Sequence, residues 1–337
     1  MIIKQFLSKK FYLVNGLDRI DEFLKKSKLD FKEISNLLLA TEQLLSQFQV
    51  NNSDDSDKTL EFEFHKISIR FDDQRNSISR LVIEAFNSGI DETGKLLANN
   101  PIDLFGCCMA ADVLENNLRA EIIKIYLEKQ FSAYRSLHPQ TLNVMELKTL
   151  DKRFKWAQRM LNFYEKTFKL AFPSDWQMDI LLGQAIGNWI KEDIVAILSA
   201  VPNDRRVSED IFTQALSEAN SFDRYISLRF KSAINSSVTQ AFQDFHFFLF
   251  EAKEDEFNAL RKQILPRDSV KSINKVLKKD HLVMSNFDQF FLFFSGVLDT
   301  FAHLSSMSSG VLLVQFSFFL SDSLEALSRY IENQFEM

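Results

Sequence analysis

Apolar residues recur along most of this chain at steps of three and four, and the longest unbroken run of that spacing lies near the middle. Leu147, Leu150, Phe154, Ala157, Leu161, Tyr164, Phe168 and Ala171 form one continuous stripe, the mark of a helix with a buried face. A second stripe, Trp156, Met160, Phe163 and Leu170, runs beside it, so the pattern predicts a helix covered on two sides. Lys148, Lys152, Lys155, Arg159, Lys166 and Lys169 fall on the remaining face. At ~1.5 Å per residue such a helix reaches roughly 35 to 40 Å. Pro173 ends it, because the residue before a proline is pushed out of the helical region. Ser174 and Gln177 have capping-box spacing, which predicts that the next helix starts at once and folds back as an antiparallel partner.

The same spacing predicts helices on either side. Residues 2 to 13 read as a short helix that turns at Asn15-Gly16, after which Leu17, Ile20, Phe23 and Leu24 resume the pattern. Asp30 and Glu33 form a second capping box, opening a helix through Ile34, Leu38, Leu45 and Phe48. Residues 50–59, VNNSDDSDKT, are polar, acidic and aperiodic, and read as a linker. This divides the chain into an N-terminal helical segment (1–49), an acidic linker (50–59) and a helical-bundle region (60–337).

Leu60 to Phe71 alternates as a strand would and also fits a helix. The pattern continues through Ile78, Val82 and Ala85, which decides for helix. Asn100 caps a helix that has Pro101 at its first position. Beyond the central helix, Trp176, Ile180, Gly187, Ile190, Ile194 and Ile197 form the partner's inner stripe. Gly183 and Gly187 each cost about 1 kcal/mol inside a helix, so close approach of a neighbour is expected there. Ser208 caps the next helix, and further helices follow near 238–264, 268–279, 283–304 and 309–335.

Composition sharpens the fold class to all-α without a sheet. Only 8 glycines and 5 prolines occur in 337 residues, too few for turn-rich β or dinucleotide-binding folds. The 34 phenylalanines read as core filling. A net charge of -6 speaks against a nucleic-acid binder. Charge is uneven, however: residues 148–169 carry seven Lys/Arg against Asp151 and Glu165, and the last 57 residues carry six acids against Arg329. A solvated helix face explains the first cluster, and an acidic lipid or acidic partner is the other reading. Cys107 and Cys108 are adjacent with no third cysteine, which fits reduced thiols in the cytoplasm. Lysines at 4, 9 and 10 interrupt the apolar core a signal peptide needs. Phe287 to Leu304, broken by Asp288, Gln289, Asp299 and His303, is no membrane span. Any membrane association is expected to be peripheral.

Catalytic chemistry is sparse. Gly89 to Lys95, GIDETGK, matches the start of a phosphate-binding P-loop. Leu96 stands where a magnesium-holding Ser or Thr belongs, and Asp91 and Glu92 would repel phosphates. His65, His138, His246, His281 and His303 show no metal-ligand spacing. Cys107 as a nucleophile is weighed against a core position beside Met109, Ala110 and Val113, which fits better. No catalytic, cofactor-binding or metal-binding residue is assigned, and neither cofactor nor small-molecule substrate is expected.

The block Asp151 to Trp176, DKRFKWAQRMLNFYEKTFKLAFPSDW, resembles the vacuolar protein sorting-associated protein 53 family, subunits of the GARP and EARP tethering complexes. That family's block has an aspartate, two basic residues, an aromatic and a tryptophan, then a Tyr-Glu pair and Phe-Pro-x-x-Trp. The matching positions are Asp151, Lys152, Arg153, Phe154, Trp156, Tyr164, Glu165, Phe172, Pro173 and Trp176. Flanking segments agree in the same order, among them CCMAADVLENNLRAEIIKIYLEKQFSAY and ANSFDRYISLRF. The likeness is strong from about 105 to 230. Set against that family, the resemblance implies a chain that begins where the family's coiled-coil region would be ending, has Ser232 to Thr239 in place of a long charged insertion, and does not reach the family's C-terminal helical region.

The resemblance implies an elongated rod of stacked antiparallel helical bundles, as in multisubunit tethers. It implies a non-enzymatic subunit that joins sister subunits, contacts SNAREs and small GTPases, and acts in retrograde transport from endosomes to the trans-Golgi network, peripheral on those membranes. A related helical tether of the exocyst or COG type is the first alternative. A nucleotide-binding enzyme using residues 89–95 is the second. If the central helix is the spine of its bundle, Trp156→Ala costs roughly 3 to 5 kcal/mol, read from denaturant unfolding; a loss below about 1 kcal/mol overturns that placement.

Overall fold

The computed structural model describes residues 2–26, 29–51, 58–97, 101–114, 116–201, 207–231, 233–234, 237–264, 287–305 and 311–335. They are helical almost throughout, and among them the sole β feature is an isolated bridge between Ile90 and Leu96. The helix expected near 268–279, the Asn100 cap and residues 52–57 of the acidic linker lie outside the described residues. The chain forms two compact units, one made of residues 1–139 with 158–185 and the other of residues 140–157 with 186–337.

The first unit opens with α1 (Ile2–Leu24), α2 (Phe31–Asn51) and α3 (Lys58–Ser88). The turn expected at Asn15-Gly16 is absent, and α1 runs straight through it. A side chain at Gly16 would lie 3.1 Å from the Thr41 hydroxyl of α2, so the glycine serves helix contact and not a turn. Leu13, Leu17, Ile20 and Phe23 of α1, Ile34, Leu38 and Leu45 of α2, and Phe71, Ile78 and Val82 of α3 are all buried, and α1 packs on both other helices. Lys10 pairs with Glu63 at 3.2 Å, Arg70 with Asp21 at 2.5 Å, and Gln74 donates to the Leu17 carbonyl at 2.9 Å. Positions rise together along both helices, so α1 and α3 run in the same direction. Asp30 caps α2 as expected, accepting the N–H groups of Lys32 and Glu33.

Next come α4 (Pro101–Leu114) and α5 (Asn116–Leu137). Pro101 holds the first helical position, where its missing N–H costs nothing. A Cβ at Gly106 would sit 3.2 Å from the Lys32 nitrogen and 3.3 Å from Phe31 Cβ, so α4 packs backbone-close on the start of α2. Helix α6 spans Leu150–Thr167, preceded by a 3-10 segment, Val144–Thr149, and followed by a 3-10 turn at Ser174–Trp176 and by α7 (Met178–Ser199).

The central helix is thus shorter than its apolar stripe: its 18 residues rise about 27 Å, and it ends well before Pro173. Tyr164 and Phe172 show why. Their ring centroids lie 6.3 Å apart, whereas a straight helix would separate them by about 12 Å along its axis. The chain turns so that Phe168 and Phe172 both reach Tyr126 of α5, each at 5.1 Å. Of the second stripe, Trp156 is buried and Met160 and Phe163 half-buried, while Leu170 is 71% exposed; the turn has rotated it outward. The Ser174/Gln177 capping box does not form. Ser174 starts the 3-10 turn, and Gln177 adopts a left-handed φ of 49° before α7 begins.

In the second unit, the start of α6 (150–157) and the later part of α7 (186–199) are joined by α8 (Glu209–Arg229), a 3-10 segment at Val238–Phe245, α9 (Phe247–Ile264), α10 (Phe287–Ser305) and α11 (Val311–Phe335). The expectation of close approach at Gly187 fails, because a Cβ there meets nothing within 4 Å. Ser208 precedes α8 with extended backbone, but its side chain makes no capping bond. The 3-10 segment is capped across space: Asp223 accepts from Val238 N–H at 2.8 Å, Thr239 N–H at 3.0 Å and the Ser237 hydroxyl at 2.6 Å. Phenylalanine fills this unit. Phe212 meets Phe242 edge-on at 5.4 Å, Phe250 stacks on Phe301 at 4.7 Å, and Phe257, Phe290 and Leu327 close a bundle of α9, α10 and α11 with Leu260, Phe293 and Phe294.

His246 lies at 1% exposure among these rings with neither ring nitrogen hydrogen-bonded. Burial pushes its pKa below the ordinary value, against the opposing pull of Asp244. The unfolded chain therefore binds a proton that the folded one resists, and stability is full above about pH 6.5 and falls as pH drops below it. His246→Leu should flatten that decline in Tm measured between about pH 7.5 and 5; an unchanged slope would remove His246 as its source.

Candidate interaction surface

The block Asp151 to Trp176 divides into residues turned into the fold and residues left on its surface. Arg153 is 2% exposed. It donates from Nη1 to Asp193 Oδ2 of α7, itself 2% exposed by side chain, and Nη2 lies 3.8 Å from Glu146. Beside it, Phe154 stacks on Phe222 of α8 with centroids 4.8 Å apart and planes 20° apart. Sequence reasoning missed this pair. A signal was present: Arg153 stands three residues before Trp156 and Asp193 three after Ile190, so each extends an apolar stripe in which an unpaired charge would not be tolerated.

The other end of the block is equally occupied. Trp176, 2% exposed, donates its indole N–H to both oxygens of Asp112 of α4 at 3.0 Å. Arg119 of α5 covers the indole at 5.1 Å and donates to the Asp175 carbonyl at 3.0 Å. Partial desolvation lifts the Asp112 carboxyl above its ordinary value, against the pull of the indole N–H. Phe172 packs against Trp176, Phe86 and Tyr126. The Tyr164 hydroxyl is raised well above its ordinary range by burial. These residues hold helices together, and none presents a reactive atom to a cleft.

The two cysteines sit in the core as expected. Burial pushes the Cys107 thiol up to about 12 and the Cys108 thiol well above its usual value, and Cys108 donates to the Ala171 carbonyl at 3.4 Å. Neither is a thiolate nucleophile near neutrality.

Residues 89–97 form a closed turn. Asp91 Oδ1 accepts from the Thr93 N–H, the Thr93 hydroxyl and the Lys95 N–H, each at 2.8 Å. Gly94, at φ 74°, leaves no room for a side chain against Gln130, whose amide donates to the Gly94 carbonyl at 2.9 Å. Lys129 donates to the Ile90 carbonyl at 2.6 Å. A carboxylate of the chain itself occupies the N–H groups a phosphate would need, which leaves this loop a structural turn.

The remaining surface carries exposed apolar residues, among them Phe11, Phe62, Phe291, Leu292 and Phe318, and two polar features. An open cleft of about 570 Å³ is lined by Glu209, Asp210, Thr213, Gln214, Ser217, Asp299 and Thr300, with Lys253 paired to Glu209 at 2.8 Å. Lys148, Lys152, Lys155, Arg159, Lys166 and Lys169 are all exposed, as their spacing predicts. Among the described residues no group of His, Cys, Asp or Glu has metal-holding geometry, and no helix is long and apolar enough to cross a membrane.

Fold and surface together define an all-α helical-bundle protein whose most distinctive residues serve packing. The family model described as "Vps53, N-terminal" matches residues 6–294, and the chain belongs to the Vps53 family. It is similar to the vacuolar protein sorting-associated protein 53 homolog of Caenorhabditis elegans, 21% identical over 251 residues that cover 73% of this chain and 29% of the relative. It is also similar to vacuolar protein sorting-associated protein 53 of Saccharomyces cerevisiae, 26% identical over 129 residues covering 38% of this chain and 16% of the relative. The aligned regions thus span less than a third of either relative's length. No solved structure matches the chain.

Breaking the buried pair tests its role. Asp193→Ala strands a buried guanidinium and should cost about 3 to 5 kcal/mol, whereas the double replacement Arg153→Met with Asp193→Leu should recover most of that loss. Urea unfolding of both variants checks it; a single-variant cost below about 1 kcal/mol would show the pair to be dispensable.

Proposed function

We propose that this chain is a non-enzymatic subunit of a multisubunit vesicle-tethering complex of the GARP/EARP type, acting in retrograde transport from endosomes to the trans-Golgi network. The observation that carries the reading is the family match over residues 6–294. Two structural features support it. The residues that distinguish the family block, Arg153, Phe154, Tyr164, Phe172 and Trp176, are consumed in joining helices. The one loop with a catalytic appearance, Gly89 to Lys95, is closed on its own carboxylate. In this reading the protein works through surfaces: it joins sister subunits, meets SNAREs and small GTPases, and lies peripherally on trans-Golgi and endosomal membranes.

Co-expression with the candidate sister subunits, followed by tagged purification and size exclusion, tests the proposal. A stoichiometric hetero-oligomer is the expected result, and Asp193→Ala should weaken it only as far as it unfolds the chain. Elution of this chain alone, still folded by circular dichroism, would overturn subunit assembly.

A further inference from the structure

We propose that the exposed basic face of α6 is the surface through which this protein lies on anionic lipid bilayers. Lys152, Lys155, Arg159 and Lys166 project within an arc of about 60° and span about 21 Å along the helix. All four are exposed. The acids of the same helix stand aside from the stripe and are engaged with its margins: Asp151 holds Lys155 at 2.9 Å, and Glu165 lies 3.7 Å from Lys169. Lys152, Arg159 and Lys166 make no ion pair among the described residues. Fixed by burial of Phe154, Ala157 and Leu161 on the opposite side, the helix cannot rotate this face away from solvent.

The form of the surface favours a bilayer over an acidic protein. Protein partners are held by aromatic or apolar anchors desolvated in pockets, and the stripe is a convex row of charges on flexible stems. Diffuse attraction to a plane of phosphates needs only such a row. Local placement is necessary because the whole chain carries a charge of -6, and its acidic C-terminal stretch is repelled by the same membrane. The inference rests on the peripheral membrane contact proposed above and names its surface; assembly is read separately, by co-purification.

The test is co-sedimentation of the purified full chain with phosphatidylcholine vesicles, with and without phosphatidylserine. Wild type should bind the anionic vesicles alone and dissociate as salt rises from ~0.05 to ~0.5 M. Reversing Lys152→Glu, Arg159→Glu and Lys166→Glu should weaken binding about a hundredfold or more, with an unchanged Tm because all three side chains are exposed. A matched reversal of Lys32, Arg80 and Lys124, exposed elsewhere, should leave binding within about threefold. Should the triple variant misfold, the neutral pair Lys152→Gln and Lys166→Gln serves, with about a tenfold loss expected. The proposal is overturned if wild type ignores anionic vesicles, if both sets of reversals weaken binding equally, or if the chain binds an acidic peptide and no vesicle.

Discussion

The buried ion pair between Arg153 and Asp193 is the constraint from which the middle of this protein follows. Each charge is almost wholly removed from water, and an isolated charge in that position would be prohibitively costly. Helix α6 and helix α7 must therefore meet in the one register that brings guanidinium and carboxylate together. Apolar contacts such as Phe154 on Phe222 tolerate sliding by fractions of a turn; a hydrogen-bonded pair does not. The gain is in specificity more than in net stability, because the desolvation of both ions offsets most of their attraction.

A second polar fixture works alike at the other end of the family block. Trp176 is buried up to its indole N–H, which needs an acceptor, and Asp112 supplies both oxygens. Arg119 then covers the ring and ties down the Asp175 carbonyl. Between the two fixtures the chain abandons the helix so that Tyr164, Phe168 and Phe172 gather around Tyr126. Aromatic burial outweighs the few backbone bonds lost at the helix end, since each ring removes a large apolar surface from water. The stretch from Asp151 to Trp176 thus serves folding: its rings, its indole and its guanidinium are taken up in contacts between helices.

That division of labour shapes the functional reading. With these residues turned inward, helix faces make up the surface that the proposed role would use. Those differ in charge: α6 carries a basic stripe, and α8 and α10 line an acidic cleft in which Lys253 is paired to Glu209. The proposed assembly and membrane contact would draw on such surfaces, where many weak charges act together.

Spacing alone determined that the chain is helical, which faces of its helices are buried, that Asp30 caps α2, and that the lysines of α6 face water. These follow from a period of 3.6 and from local hydrogen bonds, both of which act within a few residues. The family likeness was legible too, because its block lies within one stretch of 26 residues counted from Asp151 to Trp176. Where helices stop was decided by the tertiary structure. Asn15-Gly16 reads as a turn and is helix because Gly16 must pass Thr41; α6 reads as running to Pro173 and ends at Thr167 because Tyr126 draws two later rings to itself. Which charges are buried was also settled there, since Arg153 finds Asp193 40 residues away. Local propensity is worth tenths of a kcal/mol per residue and long-range burial several kcal/mol per side chain, so wherever the two disagree the partner across space prevails.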